Sequence, residues 1–179
     1  MQLFSKWASR EHPLGLRIAV LLLAAVLFLY LLPLAVVRGG SSLDRQFGLP
    51  PLGLGAANYI LGGVLGVVGL CFAFWSIGDQ VTLGRGTPLP MLPTQELLTR
   101  GPFRYCRNPM TLGTILAYSG LGMAAGTISG IGLVLCFGTL LILYIKGIEE
   151  KELAERFGDA YLAYKREVPF IIPRRPKRD

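Results

Sequence analysis

Long runs of apolar residues are the feature that most limits what this chain can fold into. Leu16 to Val37 and Leu54 to Ile77 are both long enough to cross the hydrocarbon core of a bilayer, which takes about 20 apolar residues. Of the 179 residues, 52% are hydrophobic and only 16% are charged, whereas a water-soluble domain carries about 25% charged residues. The chain is therefore predicted to be an integral membrane protein, and a soluble domain is excluded.

Two shorter apolar segments in the second half of the chain predict a helical hairpin. They run from Met110 to about Ala125 and from about Ser129 to Ile145, and only residues 126–128 separate them. The first of the two is short and is expected to tilt or to be partly shielded by protein. The predicted fold is all-α, a polytopic membrane bundle of about four transmembrane helices with a C-terminal helical hairpin.

Glycines recur along these segments at spacings that favour close helix packing. Gly62 and Gly66 are four residues apart, and the hairpin contains Gly113, Gly120, Gly122, Gly130, Gly132 and Gly138. Small residues at such spacing let membrane helices approach each other closely. Because Gly is also more frequent in membrane helices in general, both interpretations stay open at this point.

The distribution of basic residues predicts the orientation in the membrane. If the N-terminus is inside, 16 of the 18 Lys and Arg residues lie on the cytoplasmic side, and only Arg38 and Arg45 lie outside. This bias places both termini and the loop of residues 79–109 in the cytoplasm, at a bacterial or archaeal cytoplasmic membrane. Since the basic residues flank apolar spans, the net charge of +7 indicates contact with the lipid bilayer and not with nucleic acid.

We interpret residues 1–179 as a single membrane domain. Residues 1–78 form two N-terminal transmembrane helices, residues 79–173 carry the candidate chemistry, and residues 174–179 form a basic tail that faces the lipid headgroups. The cysteines at positions 71, 106 and 136 lack the spacing of metal ligands, so no metal site is predicted.

The polar segments on either side of the hairpin carry the residues that suggest chemistry. Residues 100–109 read Arg-Gly-Pro-Phe-Arg-Tyr-Cys-Arg-Asn-Pro, and the tail contains Glu-Glu-Lys-Glu-Leu from 149 and Phe-Gly-Asp-Ala-Tyr-Leu-Ala-Tyr from 157, then Val-Pro at 168. This ordered set resembles the integral-membrane methyltransferases typified by isoprenylcysteine carboxyl methyltransferase and by phospholipid N-methyltransferases. The resemblance covers about residues 80–173.

The resemblance implies methyl transfer from S-adenosylmethionine, with a cytoplasmic loop and tail that cover the cofactor. Asn108 stands where the eukaryotic enzymes have His, and Thr111 stands where they have Tyr. Glu150 and Arg107 are the implied catalytic residues, and Glu150 would orient an amine nucleophile or accept its proton. Matched position by position, the implied cofactor-binding residues are Gln95, Leu97, Leu98, Phe103, Arg107, Asn108, Pro109, Glu149 and Glu150.

The residue types also fit this cofactor on chemical grounds. S-adenosylmethionine carries a sulfonium, an ammonium, a carboxylate and an adenine ring. Its pocket therefore needs a protein carboxylate for the positive charges, a hydrogen-bond donor for the cofactor's carboxylate, and aromatic walls. The sequence offers Glu149 and Glu150 for the first, Arg107 and Asn108 for the second, and Phe103 and Tyr105 for the third.

The predicted acceptor is an amphipathic or lipid-like molecule with a carboxylate, thiol or amine, which enters between helices at the inner leaflet. Two alternatives stay open: a membrane NADPH-dependent reductase of the sterol-reductase type, which has a similar C-terminal hairpin, and a non-catalytic membrane scaffold. The paired glutamates favour the methyl donor because they would repel a phosphate-bearing cofactor. The same glutamates are also compatible with a solvated helix face.

Overall fold

The computed structural model describes residues 14–85, 87 and 94–176 of the chain. Regular structure in these ranges is helical throughout, and no strand occurs in them. Three helices within the described residues are long and apolar enough to cross a membrane: Ile18–Gln46, Ala56–Thr82 and Ile128–Glu167. The all-α membrane fold predicted from the apolar runs is confirmed.

Five helices make up the described part of the bundle. Helix α1, residues 14–46, is continuous, with α-helical parts Leu14–Val26, Leu32–Leu34 and Gly40–Gln46 and π-helical parts Leu27–Leu31 and Ala35–Gly39. The others are α2 Ala56–Thr82, α3 Pro109–Ala124, α4 Ile128–Tyr144 and α5 Glu150–Glu167, with a 3-10 turn at Gly101–Arg104 and a π-helical stretch at Ile145–Glu149.

Helix α1 extends beyond the end that the apolar run predicts at Val37. It continues through Arg38 and Arg45 to Gln46, so these two arginines lie on the helix and not in a loop. Tertiary contacts with α4 hold this extension. Asp44 accepts a hydrogen bond from the backbone N–H of Ser129 at 2.8 Å, which satisfies one of the free donors at the start of α4.

Glycines let the backbones of α2 and α3 touch. A Cβ at Gly69 would lie 2.5 Å from the carbonyl oxygen of Gly113, and a Cβ at Gly120 would lie 2.5 Å from the carbonyl oxygen of Gly62. A Cβ at Gly66 would meet nothing within 4 Å. The packing interpretation therefore holds for Gly62, whereas the Cβ position of Gly66 does not point into this contact.

Helices α3 and α4 form the predicted tight hairpin. Gly126 has a φ of +68°, a left-handed conformation that suits glycine. The hydroxyl of Thr127 accepts a hydrogen bond from the N–H of Gly130 at 3.0 Å and so caps α4. Helix α3 has only 16 residues, fewer than the roughly 20 that a span requires. The count of four transmembrane helices therefore stays a prediction.

The last membrane helix continues into a charged amphipathic tail. Its apolar part ends at Ile145, and charged residues from Lys146 onward place residues 146–167 outside the hydrocarbon. Gly158, with a φ of +54°, kinks α5. The kink turns the second half of α5 towards the start of α3, which brings the tail to the site described next.

Candidate functional site

A cavity of about 480 Å³ lies between the membrane helices and the charged segments that follow them. Helices α1, α3 and α4 form its walls within the bundle, and α5 and residues 94–98 of the loop close its other end. It therefore joins the apolar interior of the bundle to the polar segments singled out in the sequence.

The walls within the bundle are mostly apolar. The hydroxyl of Tyr118 in α3 donates a hydrogen bond to the carbonyl oxygen of Phe28 in α1, which fixes α1 against α3 at this wall. This part of the cavity suits a hydrocarbon chain. Its apolar lining consists of Phe28, Leu32, Ala35, Val36, Met110, Ile115, Leu133, Val134, Phe137 and Leu141.

Arg107, Glu150 and Lys165 form a bonded triad at the polar end. Nη2 of Arg107 donates to Oε1 of Glu150 at 2.7 Å, and Nζ of Lys165 donates to Oε2 of Glu150 at 2.7 Å. Nη1 of Arg107 donates to the carbonyl oxygen of Lys165, also at 2.7 Å. The side chains of Arg107 and Glu150 are only 9% and 8% exposed, so water screens this pair little. Both oxygens of Glu150 are thus engaged by cations.

The segment after α5 holds the Arg-Asn-Pro element in place. The N–H groups of Arg107 and Asn108 donate to the carbonyl oxygens of Pro169 and Phe170 at 2.9 and 3.1 Å. Nδ2 of Asn108 also donates to the Phe170 carbonyl, at 3.0 Å. Pro109 then occupies the first turn of α3, where the N–H that proline lacks is not needed. Pro169 and Phe170 therefore hold this element at the start of α3.

Glu149 lines the same polar end but has no ion pair with any described residue. Burial raises the pKa of its carboxyl, and the negative charges of Glu152 and Glu150 raise the pKa further. Because its pKa is raised, Glu149 keeps a proton to higher pH than an ordinary glutamate. It is the carboxyl at this end best suited to exchange a proton or to face a cation.

One side of α5 faces the cavity, and its lining residues Leu153, Phe157, Tyr161 and Tyr164 recur at helical spacing. Tyr161 is 2% exposed, and burial raises its pKa to about 12. The hydroxyl of Tyr164 donates to the carbonyl oxygen of Phe103 at 2.7 Å. Both tyrosines stay neutral, and Tyr164 ties α5 to the turn that precedes α3.

The structure brings most of the predicted site residues to one cavity. Gln95 does not line it; its backbone N–H donates to the carbonyl oxygen of Gly84 at 2.7 Å. Tyr105, expected beside Phe103 as an aromatic wall, instead packs on Trp75 with ring centroids 6.3 Å apart. The residues that do line the cavity are Leu97, Leu98, Phe103, Arg107, Asn108, Pro109, Glu149 and Glu150.

Two polar residues of the site were missed by the sequence analysis. Lys165 completes the triad, and Arg156 donates to the carbonyl oxygen of Thr94 at 2.7 Å, which links α5 to the loop. Both lie on a helix rich in charge, where nothing in the pattern separates them from solvated neighbours.

Cys106 is fully buried next to the triad. Burial raises the pKa of its thiol to about 11, so the thiol is protonated at neutral pH. A protonated, inaccessible thiol is a poor nucleophile. Cys106 therefore contributes packing and not reactivity.

One buried donor of the site is unpaired in the described part of the chain. Nε of Arg107 has no hydrogen-bond partner among the described residues, although buried polar groups are nearly always paired. A guanidinium edge of this kind fits a carboxylate. The residues of the polar end therefore suit a ligand that carries both a carboxylate and a positive charge.

Fold and site together define a class: a helical membrane protein in which a charged loop and tail close one end of an intramembrane cavity. The sequence model of the phospholipid methyltransferase family matches residues 57–160, more than half of the chain, and the chain belongs to this family. Membership makes it a membrane methyltransferase. No curated protein and no solved structure matches the chain. The family match begins within α2, ahead of the motifs that carry the resemblance.

Proposed function

We propose that this protein transfers a methyl group from S-adenosylmethionine to an amphipathic or lipid-like acceptor. The observation that carries the proposal is the Arg107–Glu150 pair at the polar end of an otherwise apolar cavity, in a chain of a methyltransferase family. Phospholipid methyltransferases of this family generally use this cofactor. The motif set further supports a subtype similar to isoprenylcysteine carboxyl methyltransferase.

The polar end supplies contacts for each charged part of the cofactor. Nε of Arg107 would receive the carboxylate, and Glu149, which has no ion pair within the described residues, would face the positive charge. Leu97, Leu98 and Phe103 would pack on the adenine. When bound, S-adenosylmethionine supplies an activated methyl group on a sulfonium sulfur.

Glu150 is proposed to act as a positioning residue for Arg107. Because both of its oxygens already accept bonds from cations, it is poorly placed to take a proton from a nucleophile. If the acceptor is an amine, Glu149 is the proposed proton acceptor, since its raised pKa brings it closer to neutral pH. A carboxylate acceptor needs no base, and positioning for in-line attack supplies most of the rate.

The acceptor is proposed to enter from the inner leaflet, with its chain along the apolar walls formed by α1, α3 and α4. Its nucleophile, a carboxylate, thiol or amine, would then lie at the triad. We propose that the charged loop and tail face the cytoplasm, in accord with the distribution of basic residues, and that the cofactor reaches the site from there.

The reductase alternative is less compatible with the charges of the site. Glu96, Glu149 and Glu152 line the polar end together with Glu150, and this excess of carboxylates disfavours the phosphates of NADPH. Family membership likewise favours a methyltransferase over a non-catalytic scaffold.

Thermal unfolding of the purified protein tests the proposal. A cofactor at about a hundred times its Kd stabilises the folded state by about 2.7 kcal/mol, so S-adenosylmethionine should raise the melting temperature and NADPH should not. A rise in melting temperature with NADPH alone would favour the reductase alternative. No rise with either cofactor would favour the non-catalytic scaffold.

The acceptor can then be identified directly. Protein incubated with methyl-labelled S-adenosylmethionine and a membrane lipid extract should transfer label to one lipid-soluble product, whose mass gives the acceptor. Label that stays in the aqueous phase would contradict a lipid-like acceptor. Glu155→Gln should transfer label as the parent protein does, because Glu155 is an exposed carboxylate of α5 outside the cavity.

A further inference from the structure

A second cleft, of about 630 Å³, lies on the other side of Tyr164 from the cavity. Arg100 and Arg104 come to it from the loop, and Arg174 and Arg175 come to it from the tail. Residues about 70 positions apart in sequence thus meet around one hollow. We call it the basic cleft.

The lining of the basic cleft carries a net positive charge. Glu167 is the one carboxylate in its lining, and none of the four arginines forms an ion pair with a carboxylate among residues 14–85, 87 and 94–176. Four guanidinium groups around one hollow favour an anion, and phosphate is one of the anions that the guanidinium fork can bind with two hydrogen bonds.

Aromatic residues place the basic cleft at the level of the lipid headgroups. Trp75, 47% exposed near the end of the apolar part of α2, packs on Tyr105, and Trp and Tyr concentrate at this level of a membrane. Gly101, between the two loop arginines, packs so closely on α2 that a Cβ there would lie 3.3 Å from the indole nitrogen of Trp75. The guanidinium of Arg104 lies 5.6 Å from the ring centroid of Tyr105.

Apolar groups beside the arginines extend this interface. Val168 and Pro169 line the basic cleft, and Ile172, in the same segment, is 78% exposed. An exposed isoleucine next to a cluster of arginines suits the boundary between headgroups and acyl chains.

We propose that the basic cleft binds the phosphate of an anionic phospholipid from the surrounding leaflet. This lipid does not react: Tyr164 lines both the basic cleft and the cavity and lies between them, and no residue of the triad lines the basic cleft. By joining the loop to the tail, the bound lipid holds closed the two segments that cover the cavity. The inference stands apart from the proposed methyl transfer, since it concerns binding alone.

The test is lipid-dependent thermal stabilisation of the full chain in neutral detergent micelles. Added phosphatidylglycerol should raise the melting temperature saturably, while phosphatidylcholine and inorganic phosphate at the same concentration should not. Arg100→Gln combined with Arg104→Gln should weaken the apparent affinity for phosphatidylglycerol by about thirtyfold, at about tenfold for each 1.4 kcal/mol and about 1 kcal/mol for each basic residue.

Arg38→Gln with Arg45→Gln is the matched control, because it removes the same charge from exposed arginines at the end of α1. An equal loss of affinity in this control would overturn the proposal, since it would reflect overall charge. Equal stabilisation by phosphatidylcholine would also overturn it, and stabilisation by inorganic phosphate alone would make the basic cleft a site for a soluble phosphate. Arg100→Lys with Arg104→Lys keeps the charge but removes the guanidinium forks, so its affinity should be higher than that of the glutamine pair but lower than that of the parent.

Discussion

Glu150 balances two cations that reach it from distant parts of the sequence. Arg107 precedes α3, and Lys165 lies near the end of α5, yet both bond to the same carboxylate at 2.7 Å. Removing one member of such a cluster leaves the others with uncompensated charge, which costs more than the intact cluster contributes.

Glu150→Gln is therefore expected to destabilise the protein by about 2–3 kcal/mol, less than for a fully buried pair because Lys165 is 42% exposed. It should also weaken the binding of S-adenosylmethionine, since Arg107 would lose its fixed position. Thermal unfolding and isothermal titration measure the two effects. Unchanged affinity in a folded Glu150→Gln protein would remove Glu150 from the proposed site, and Glu155→Gln should change neither quantity.

Glu149 should give methyl transfer a pH dependence if the acceptor is an amine. Because its pKa is raised, the folded protein holds this proton to higher pH than the unfolded chain, so its contribution to stability falls as pH rises through the folded pKa. Activity should change in the opposite sense and rise over the same range, above the ordinary glutamate value of about 4.3.

The profile of kcat/KM against pH measures this effect. Glu149→Gln should lower activity and abolish the acidic limb of the profile. Glu152→Gln should shift that limb to lower pH, because it removes one of the charges that raise the pKa of Glu149. An acidic limb that persists in Glu149→Gln would assign the titration to another group.

At the scale of helices, the contact between α2 and α3 has no space for added atoms. A Cβ at Gly69 would lie 2.5 Å from the backbone oxygen of Gly113, and backbone cannot move aside as a flexible side chain can. Gly69→Ala is expected to destabilise the protein by about 1–3 kcal/mol, which thermal unfolding in detergent would measure.

Gly66→Ala is the matched control for Gly69→Ala. It lies one turn away on the same helix, and a Cβ there would meet nothing within 4 Å. Alanine is favoured over glycine in a helix by up to about 1 kcal/mol, so this variant should be as stable as the parent or more stable. Equal losses in the two variants would show that the backbones do not touch at Gly69.

The sequence predicted helices well where local pattern determines them and poorly where contacts between helices do. The hairpin turn followed from the three residues that separate its two apolar segments. The end of α1 was misplaced because the bond from Ser129 to Asp44 joins segments 85 positions apart. Hydropathy contains no information about such a partner.

For the candidate site, the sequence predicted which segments come together but not which way each side chain points. The motif residues gather at the cavity because each borders a span on one side of the bundle. The direction of a side chain was not predictable. Tyr105 was expected to line the cavity together with Phe103, but of these two residues only Phe103 does so. Lys165 was missed because a lysine on an amphipathic helix most often faces solvent.

At the scale of the whole molecule, the distribution of basic residues predicts that the C-terminus lies in the cytoplasm. A fluorescent reporter that folds only in the cytoplasm, fused after Asp179, should be bright, and a phosphatase that is active only outside the cytoplasm should be inactive at the same position. The phosphatase should be active when inserted between α1 and α2, at residues 47–55. The reverse pattern would place the charged segments and the cavity mouth outside.

The length of α3 has a mechanical consequence for the surrounding lipid. Its 16 residues span about 24 Å at 1.5 Å per residue, against a hydrocarbon thickness of about 30 Å. If α3 crosses the bilayer, a helix this short, tied to the longer α2 along its glycines, would draw the nearby leaflet inward, at a cost of a fraction of a kcal/mol for each ångström of mismatch. The resulting dimple would lower lipid headgroups towards the level of Pro109, and thicker membranes would resist it.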